Sequence, residues 1–293
     1  MKLFLATAFC LTLFALNSIL CRAALTVWGM EPLHYTAVRG LSAAAMLALL
    51  CALHVIRGSS DRGSIWKQAW AESSWTGSLF LFLYMICFSL AYMTMPSAAG
   101  TLIINTSVQF GMVGWGLRHG MRLTAMQGAG LAAAIAGLIA LLSPGLTAPP
   151  LTGSLLMVIS GLAWGGYSVC GRGASSASLA TAGNFFRCAV AGLVTALAAM
   201  MLEGNAHPAA WACAAGAGAI ASAPGYVLWY AIVPRYSLTG ASIIQLSVPL
   251  ITAALAVPLL GEPVTLRLAL CAVPILGGIA LTLASPKKEE KHP

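Results

Sequence analysis

Ten stretches of about 20 mostly apolar residues follow one another along the chain, separated only by short polar or turn-rich pieces, and no soluble fold accommodates such a pattern. A helix rising 1.5 Å per residue needs roughly 20 such residues to cross about 30 Å of hydrocarbon. The stretches lie near 2–21, 32–56, 74–94, 97–117, 123–143, 152–171, 177–202, 208–231, 238–260 and 264–285. GMEP, RGSSDRGSIWKQ, LRHGMR, SPGLTAPP and EGNAHP punctuate them. None alternates apolar with polar as a lipid-facing strand does, and a helix satisfies its own backbone polar groups. Composition agrees: 59% of residues are hydrophobic and 8% charged, with mean hydropathy +0.88, against about 25% charged in soluble domains. The expectation is an all-α polytopic membrane protein of ten transmembrane helices, with no soluble domain.

The first stretch, MKLFLATAFCLTLFALNSILCRAAL, has the composition of a secretory signal peptide: one lysine, an apolar run, then small residues. Internal repetition argues that it is retained. FALNSILCR ends at Arg22 and AWGGYSVCGR at Arg172, so that Phe14, Asn17 and Ser18 align with Trp164, Tyr167 and Ser168. GTLIINTSV from Gly100 aligns with GASIIQLSV from Gly240, and AGLIALLSP from Ala136 with GGIALTLASP from Gly277. A cleaved leader has no reason to recur 150 residues later. The chain therefore divides into two five-helix repeats, 1–146 and 147–286, with a tail over 287–293. Five is odd, so the second copy enters the bilayer from the opposite side; the inverted halves should share the substrate site between them.

Charge placement gives the same threading. With ten spans, Lys2, Arg57, Arg62, Lys67, Arg118, Arg122, Arg172, Arg235, Lys287, Lys288 and Lys291 share the side of both termini, and Arg22 and Arg267 face the other. The positive-inside rule then puts both ends in the cytoplasm. The net charge of +8 reads as a topology signal and an attraction to anionic lipid, not as a nucleic-acid footprint.

This layout, LAWGGYSVCGR opening the second repeat, Arg39 and Arg187 early in the second helix of each repeat, and LSVPLITAALAVPLLGEPVT around Pro249 and Glu262 resemble the EamA-like transporter family of the drug/metabolite transporter superfamily. The resemblance covers nearly the whole chain. It implies a small-metabolite carrier, often an exporter of amino acids or related compounds, in a bacterial inner membrane. The first repeat departs from the pattern, with Gln109 where the second has Pro249 and Met121 where it has Glu262; helix 1 also lacks the Trp164–Gly165 pair of helix 6.

Polar groups inside hydrocarbon collect at bundle interiors, which makes them the candidates for substrate contact. Phe14, Asn17 and Ser18 share one helix face at i, i+3, i+4, and Trp164, Tyr167 and Ser168 repeat it. Asn105 and Gln109 share another, and Asn105 corresponds to Gln245. Tyr84, Phe88 and Trp229 add aromatic walls to what would be an apolar pocket with a few convergent amides. Arg39 and Arg187 lie roughly 10 to 15 Å into their helices, placed to bind a substrate carboxylate or to gate. Each of these residues has a bland alternative as well: amides joining helix to helix, aromatics in the interfacial belt, arginines snorkelling to helix ends. Ala129, Ala133 and Gly137 have small-xxx-small spacing and read as packing.

All seven acidic residues, Glu31, Asp61, Glu72, Glu203, Glu262, Glu289 and Glu290, fall in loops, tails or span ends. Export of lipophilic cations calls for a buried carboxylate, so a neutral, zwitterionic or anionic solute is favoured over a multidrug or cation substrate. His34, His54, His119 and His207 near span ends offer a proton relay as a minor route. No catalytic signature is present, and the eight cysteines lack C-x-x-C spacing, which argues against an enzyme, a metal and a cofactor. The expected protein works by alternating access, as monomer or homodimer, with a membrane-embedded enzyme or non-transporting scaffold as the reading from another class.

Overall fold

The chain is known here from a computed structural model, which describes residues 2–56, 62–120, 122–145, 148–170, 176–201, 206–232, 235 and 244–284. Arg57, Asp61, Met121, Arg172, Glu203, residues 240–243 of the second repeat alignment and the tail 287–293 lie outside these residues. All regular structure among them is helical.

Helix α1 (Lys2–Arg22) runs into a π-helical turn, Ala23–Val27; α2 (Pro32–Ile56) and α3 (Arg62–Glu72) follow. Next come α4 (Trp75–Tyr92), α5 (Ser97–Arg118), α6 (Ala125–Leu142), α7 (Leu151–Cys170) and α8 (Ala177–Met200). The chain then forms α9 (Pro208–Gly216), a second π-helical segment (Ala217–Ser222), α10 (Ala223–Ile232), α11 (Val248–Leu260) and α12 (Leu266–Ala284). Local chemistry sets the boundaries. Ser74 caps α4 by accepting from the Gly77 N–H at 2.9 Å, and Thr124 and Gln127 form a reciprocal capping box on α6. Pro32 and Pro208 start their helices, where the missing N–H costs nothing.

Among the described residues, eight segments are long and apolar enough to cross a membrane: α1 with its π turn, α2, α4, α6, α7, α8, α9 through α10, and α12. Helix α5 has the length but carries Thr101, Asn105, Thr106, Ser107 and Gln109, and α11 is described over 13 residues. The polar piece expected between the second and third spans is not all loop. It contains α3, whose Ile65 and Ala69 are buried against α8 and α2 while Trp66, Lys67 and Trp70 face outward. Such a helix is too short to cross a membrane.

Helices α2 and α8 pack on each other, as do α6 and α12 and also α5 and α11. Helix α7 packs on α4 and α5, while α1 packs on α10 and α11. The packing of α7 on α4 and α5 thus has a counterpart in that of α1 on α10 and α11. The α6–α12 seam is built on Gly130, Ala134 and Gly137, not on Ala129 and Ala133, which are exposed and half-buried; one residue further along, the small side chains face Gly278, Pro274 and Thr282. All eight cysteines are free. The end of the bundle at which α1 begins is called the near end below, and the opposite one the far end.

Candidate functional site

Where α1, α4, α5, α7, α10 and α11 converge, they enclose a cavity of about 60 Å³. Phe14, Asn17 and Ser18 of α1, Tyr84 and Phe88 of α4, and Thr101, Ile104, Asn105 and Val108 of α5 line it. Trp164, Tyr226, Gln245 and Val248 complete the wall. Pockets for drug-sized ligands run to roughly 300–1,000 Å³, so this cavity is small. Tyr84, Trp164 and Tyr226 pack ring against ring, with centroids 4.8 to 4.9 Å apart where Trp164 meets the two tyrosines.

Arg39 stands one layer behind that wall, completely buried. Its Nη2 donates to the Tyr84 hydroxyl at 2.9 Å and to the Tyr226 hydroxyl at 3.3 Å, and its Nε donates to Ser222 Oγ at 3.2 Å. The guanidinium carbon lies 5.2 Å from the Tyr84 ring centre and 4.9 Å from that of Phe88. Nη1 has no partner. Every acceptor is neutral, and the described carboxylates, Glu31, Glu72 and Glu262, all sit at helix ends. The centre of the bundle therefore carries an uncompensated positive charge.

Backbone geometry places it there. Gly218, in the π segment, touches α2 where a methyl group would collide with the Arg39 carbonyl and the Ser42 hydroxyl. Pro224 supplies no N–H to the turn before it, and the wider π turn brings Ser222 and Tyr226 round to face Arg39. Tyr84 is the hub: its hydroxyl also accepts from Tyr226 at 3.2 Å and from Asn17 Nδ2 at 3.4 Å. Asn17 Oδ1 is buried without a partner.

The far end is closed by charge. Glu262 Oε1 accepts from Arg22 Nε at 2.8 Å and its Oε2 from the Ser97 N–H at 2.7 Å. Arg22 Nη1 donates to the carbonyls of Tyr92 and Met93 at 2.8 and 3.1 Å. The ends of α1, α4 and α11 and the start of α5 are thus tied together. Gly261, left-handed at φ 65°, ends α11 and turns the Glu262 N–H back to Ala256.

Of the residues singled out in the sequence, Asn17, Tyr84, Phe88, Asn105, Trp164 and Gln245 meet around the cavity. Arg39 reaches it through Tyr84 and Tyr226. Gln109 is buried one turn beyond Asn105, and Tyr167 turns away to donate to Thr181 at 3.2 Å. Trp229 packs against Phe14 beside the cavity, at 5.8 Å between centroids. Arg187 lies elsewhere, level with the first turn of α4, where its Nη2 donates to the Trp70 carbonyl at 3.0 Å and its charge sits over the Trp70 ring at 4.2 Å. Sequence reading missed Tyr226, Ser222 and Thr101. Tyr226 stands three residues before Trp229, a spacing that could have drawn attention to it.

A model of the EamA-like transporter family matches residues 151–284, from α7 to the end of α12. An uncharacterized protein of Pseudomonas aeruginosa is 40% identical over 280 residues, covering 96% of this chain and 94% of its own. A solved crystal structure, 20% identical, superposes with a TM-score of 0.61 over 94% of this chain and 95% of that one, so the two share a fold. A helical membrane protein with this arrangement and this kinship belongs to the EamA-like transporter family of the drug/metabolite transporter superfamily.

Proposed function

We propose that the protein is a bacterial inner-membrane secondary transporter that exports small neutral, zwitterionic or anionic metabolites such as amino acids. In this reading two inverted five-helix halves, 1–146 and 147–286, rock around the shared cavity, with both termini in the cytoplasm. The observation that carries it is Arg39, a fully buried cation whose hydrogen-bond partners are all neutral hydroxyls. In a low-dielectric interior such a charge repels a cationic solute and attracts a carboxylate without touching either. It also polarises Tyr84 and Tyr226, two of the residues that line the cavity. The small cavity and the ion-paired far end fit an occluded or inward-facing state, in which the outer exit is shut.

Counterflow in liposomes containing the purified chain tests the proposal, with amino acids, organic acids and quaternary cations as competing solutes. Saturable exchange of zwitterions or anions that Arg39→Gln reduces at least about tenfold, the change expected if the charge contributes some 1.4 kcal/mol, supports it. Exchange of the cations alone, or of none of the panel, overturns it.

A further inference from the structure

Arg187 has no place in the cavity, yet its surroundings are those of a binding site. The residue is 7% exposed, its Nε and Nη1 have no hydrogen-bond partner, and its charge lies against Trp70 and Trp75, at 4.2 and 5.4 Å from their ring centres. Both indoles are more than half exposed, at 52% and 61%. Trp66, one turn before Trp70, is also exposed and packs on Phe186 at 5.1 Å. Three exposed tryptophans, two on α3 and one at the start of α4, fit the level of lipid headgroups, where amphipathic rings settle. Lys67 is exposed on the same helix. Glu72, the carboxylate at this corner, has an interaction of its own, and Arg187 Nε and Nη1 remain without an acceptor.

A desolvated guanidinium with two idle N–H groups is costly unless an acceptor arrives from outside the protein. At headgroup depth the abundant acceptor is lipid phosphate, and Arg binds phosphate with several donors at once. We propose that Arg187, flanked by Trp70 and Trp75 with Lys67 nearby, is a receptor for the phosphate of an anionic phospholipid in the leaflet covering the near end. On binding, the phosphate oxygens accept from Nε and Nη1 while both indoles stay against the guanidinium. An occupied site would pin α3 and the start of α4 to α8.

The test is independent of transport and so of the substrate reading above. The full chain is purified in mild detergent and titrated with phosphatidylglycerol, phosphatidylcholine or inorganic phosphate, while native mass spectrometry counts the lipids retained and thermal unfolding follows stability. The expected result is one phosphatidylglycerol retained in preference to phosphatidylcholine, with affinity falling at least about tenfold in Arg187→Gln and less in Arg187→Lys. Trp75→Ala, which leaves the arginine and its Trp70 bond in place, should weaken the same lipid and keeps the test open if Arg187→Gln does not fold. Equal retention of phosphatidylglycerol by wild type and by every variant that folds overturns the proposal. So does stabilisation by inorganic phosphate that phosphatidylglycerol fails to reproduce.

Discussion

Arg22 and Glu262, 240 positions apart, meet at 2.8 Å across the far end of the bundle. Neither is idle on its other side, since Arg22 also caps the last carbonyls of α4 and Glu262 caps the first turn of α5. The pair is 18% and 15% exposed, dry enough to matter and close enough to water to break and re-form. A double-mutant cycle of Arg22→Gln and Glu262→Gln should give a coupling of about 1–3 kcal/mol in thermal unfolding. Either single variant should also speed alkylation of a Ser18→Cys reporter in the cavity by a membrane-impermeant maleimide added at the far side. Unchanged labelling would mean that the pair braces helix ends without closing a gate.

Tyr84 holds the centre together. Its hydroxyl accepts from Arg39, Tyr226 and Asn17, so Tyr84→Phe removes one atom and strips a partner from three buried donors. The expected cost is about 1–3 kcal/mol, seen as a lower unfolding temperature, with solute exchange reduced as well. Tyr167→Phe serves as the comparison: its hydroxyl bonds Thr181, outside the cavity, and its loss should leave exchange intact. Equal effects of the two variants on exchange would remove Tyr84 from any role in the pathway.

Helix positions were legible because spanning a bilayer demands length and apolarity, both of which accumulate over 20 residues and are hard to imitate. Helix α3 was not, since Ile65, Trp66, Ala69 and Trp70 are spaced among charges in a segment too short to signal a span. Arg39 was conspicuous as a charge in an apolar run. Its partners Ser222 and Tyr226 lie 183 and 187 residues away in another apolar run, and only tertiary packing brings them together. Part of the cavity is likewise made of Ile104, Val108 and Val248, which nothing in sequence separates from ordinary core. The packing stripe of α6 was read one residue out of register because Ala129–Ala133 and Gly130–Ala134 are equally small; the choice depends on where Gly278 lies.

Gly218 sets the approach of α2 to the π segment, and this gives a prediction with a built-in control. Gly218→Ala places a methyl group against the Arg39 carbonyl and the Ser42 hydroxyl that donates to it, and the carbonyl, part of the α2 backbone, cannot withdraw. The expected destabilisation is about 1–3 kcal/mol, with Arg39 displaced from Ser222. At Gly128 of α6 nothing lies within 4 Å of the added carbon, so Gly128→Ala should be neutral or raise stability by up to about 1 kcal/mol through helix propensity. Thermal unfolding of the two variants side by side decides; parallel destabilisation would show that close approach at Gly218 is not what matters.

Trp164 lines the cavity with a large ring, packed against Tyr84 at 4.9 Å, Tyr226 at 4.8 Å and Tyr167 at 5.4 Å. It makes no side-chain hydrogen bond to Arg39, so changing it alters room without altering charge. Trp164→Phe should therefore shift preference by size within one charge class. Bulkier zwitterions or anions should compete about tenfold better against a small solute, the scale of one to a few methylenes in an apolar pocket, and cations should stay excluded because Arg39 is untouched. Competition in the counterflow assay, with a homologous series of solutes differing only in side-chain length, measures both effects. A variant that gained cations, or that lost small and large solutes alike, would separate the cavity described here from the path the substrate takes.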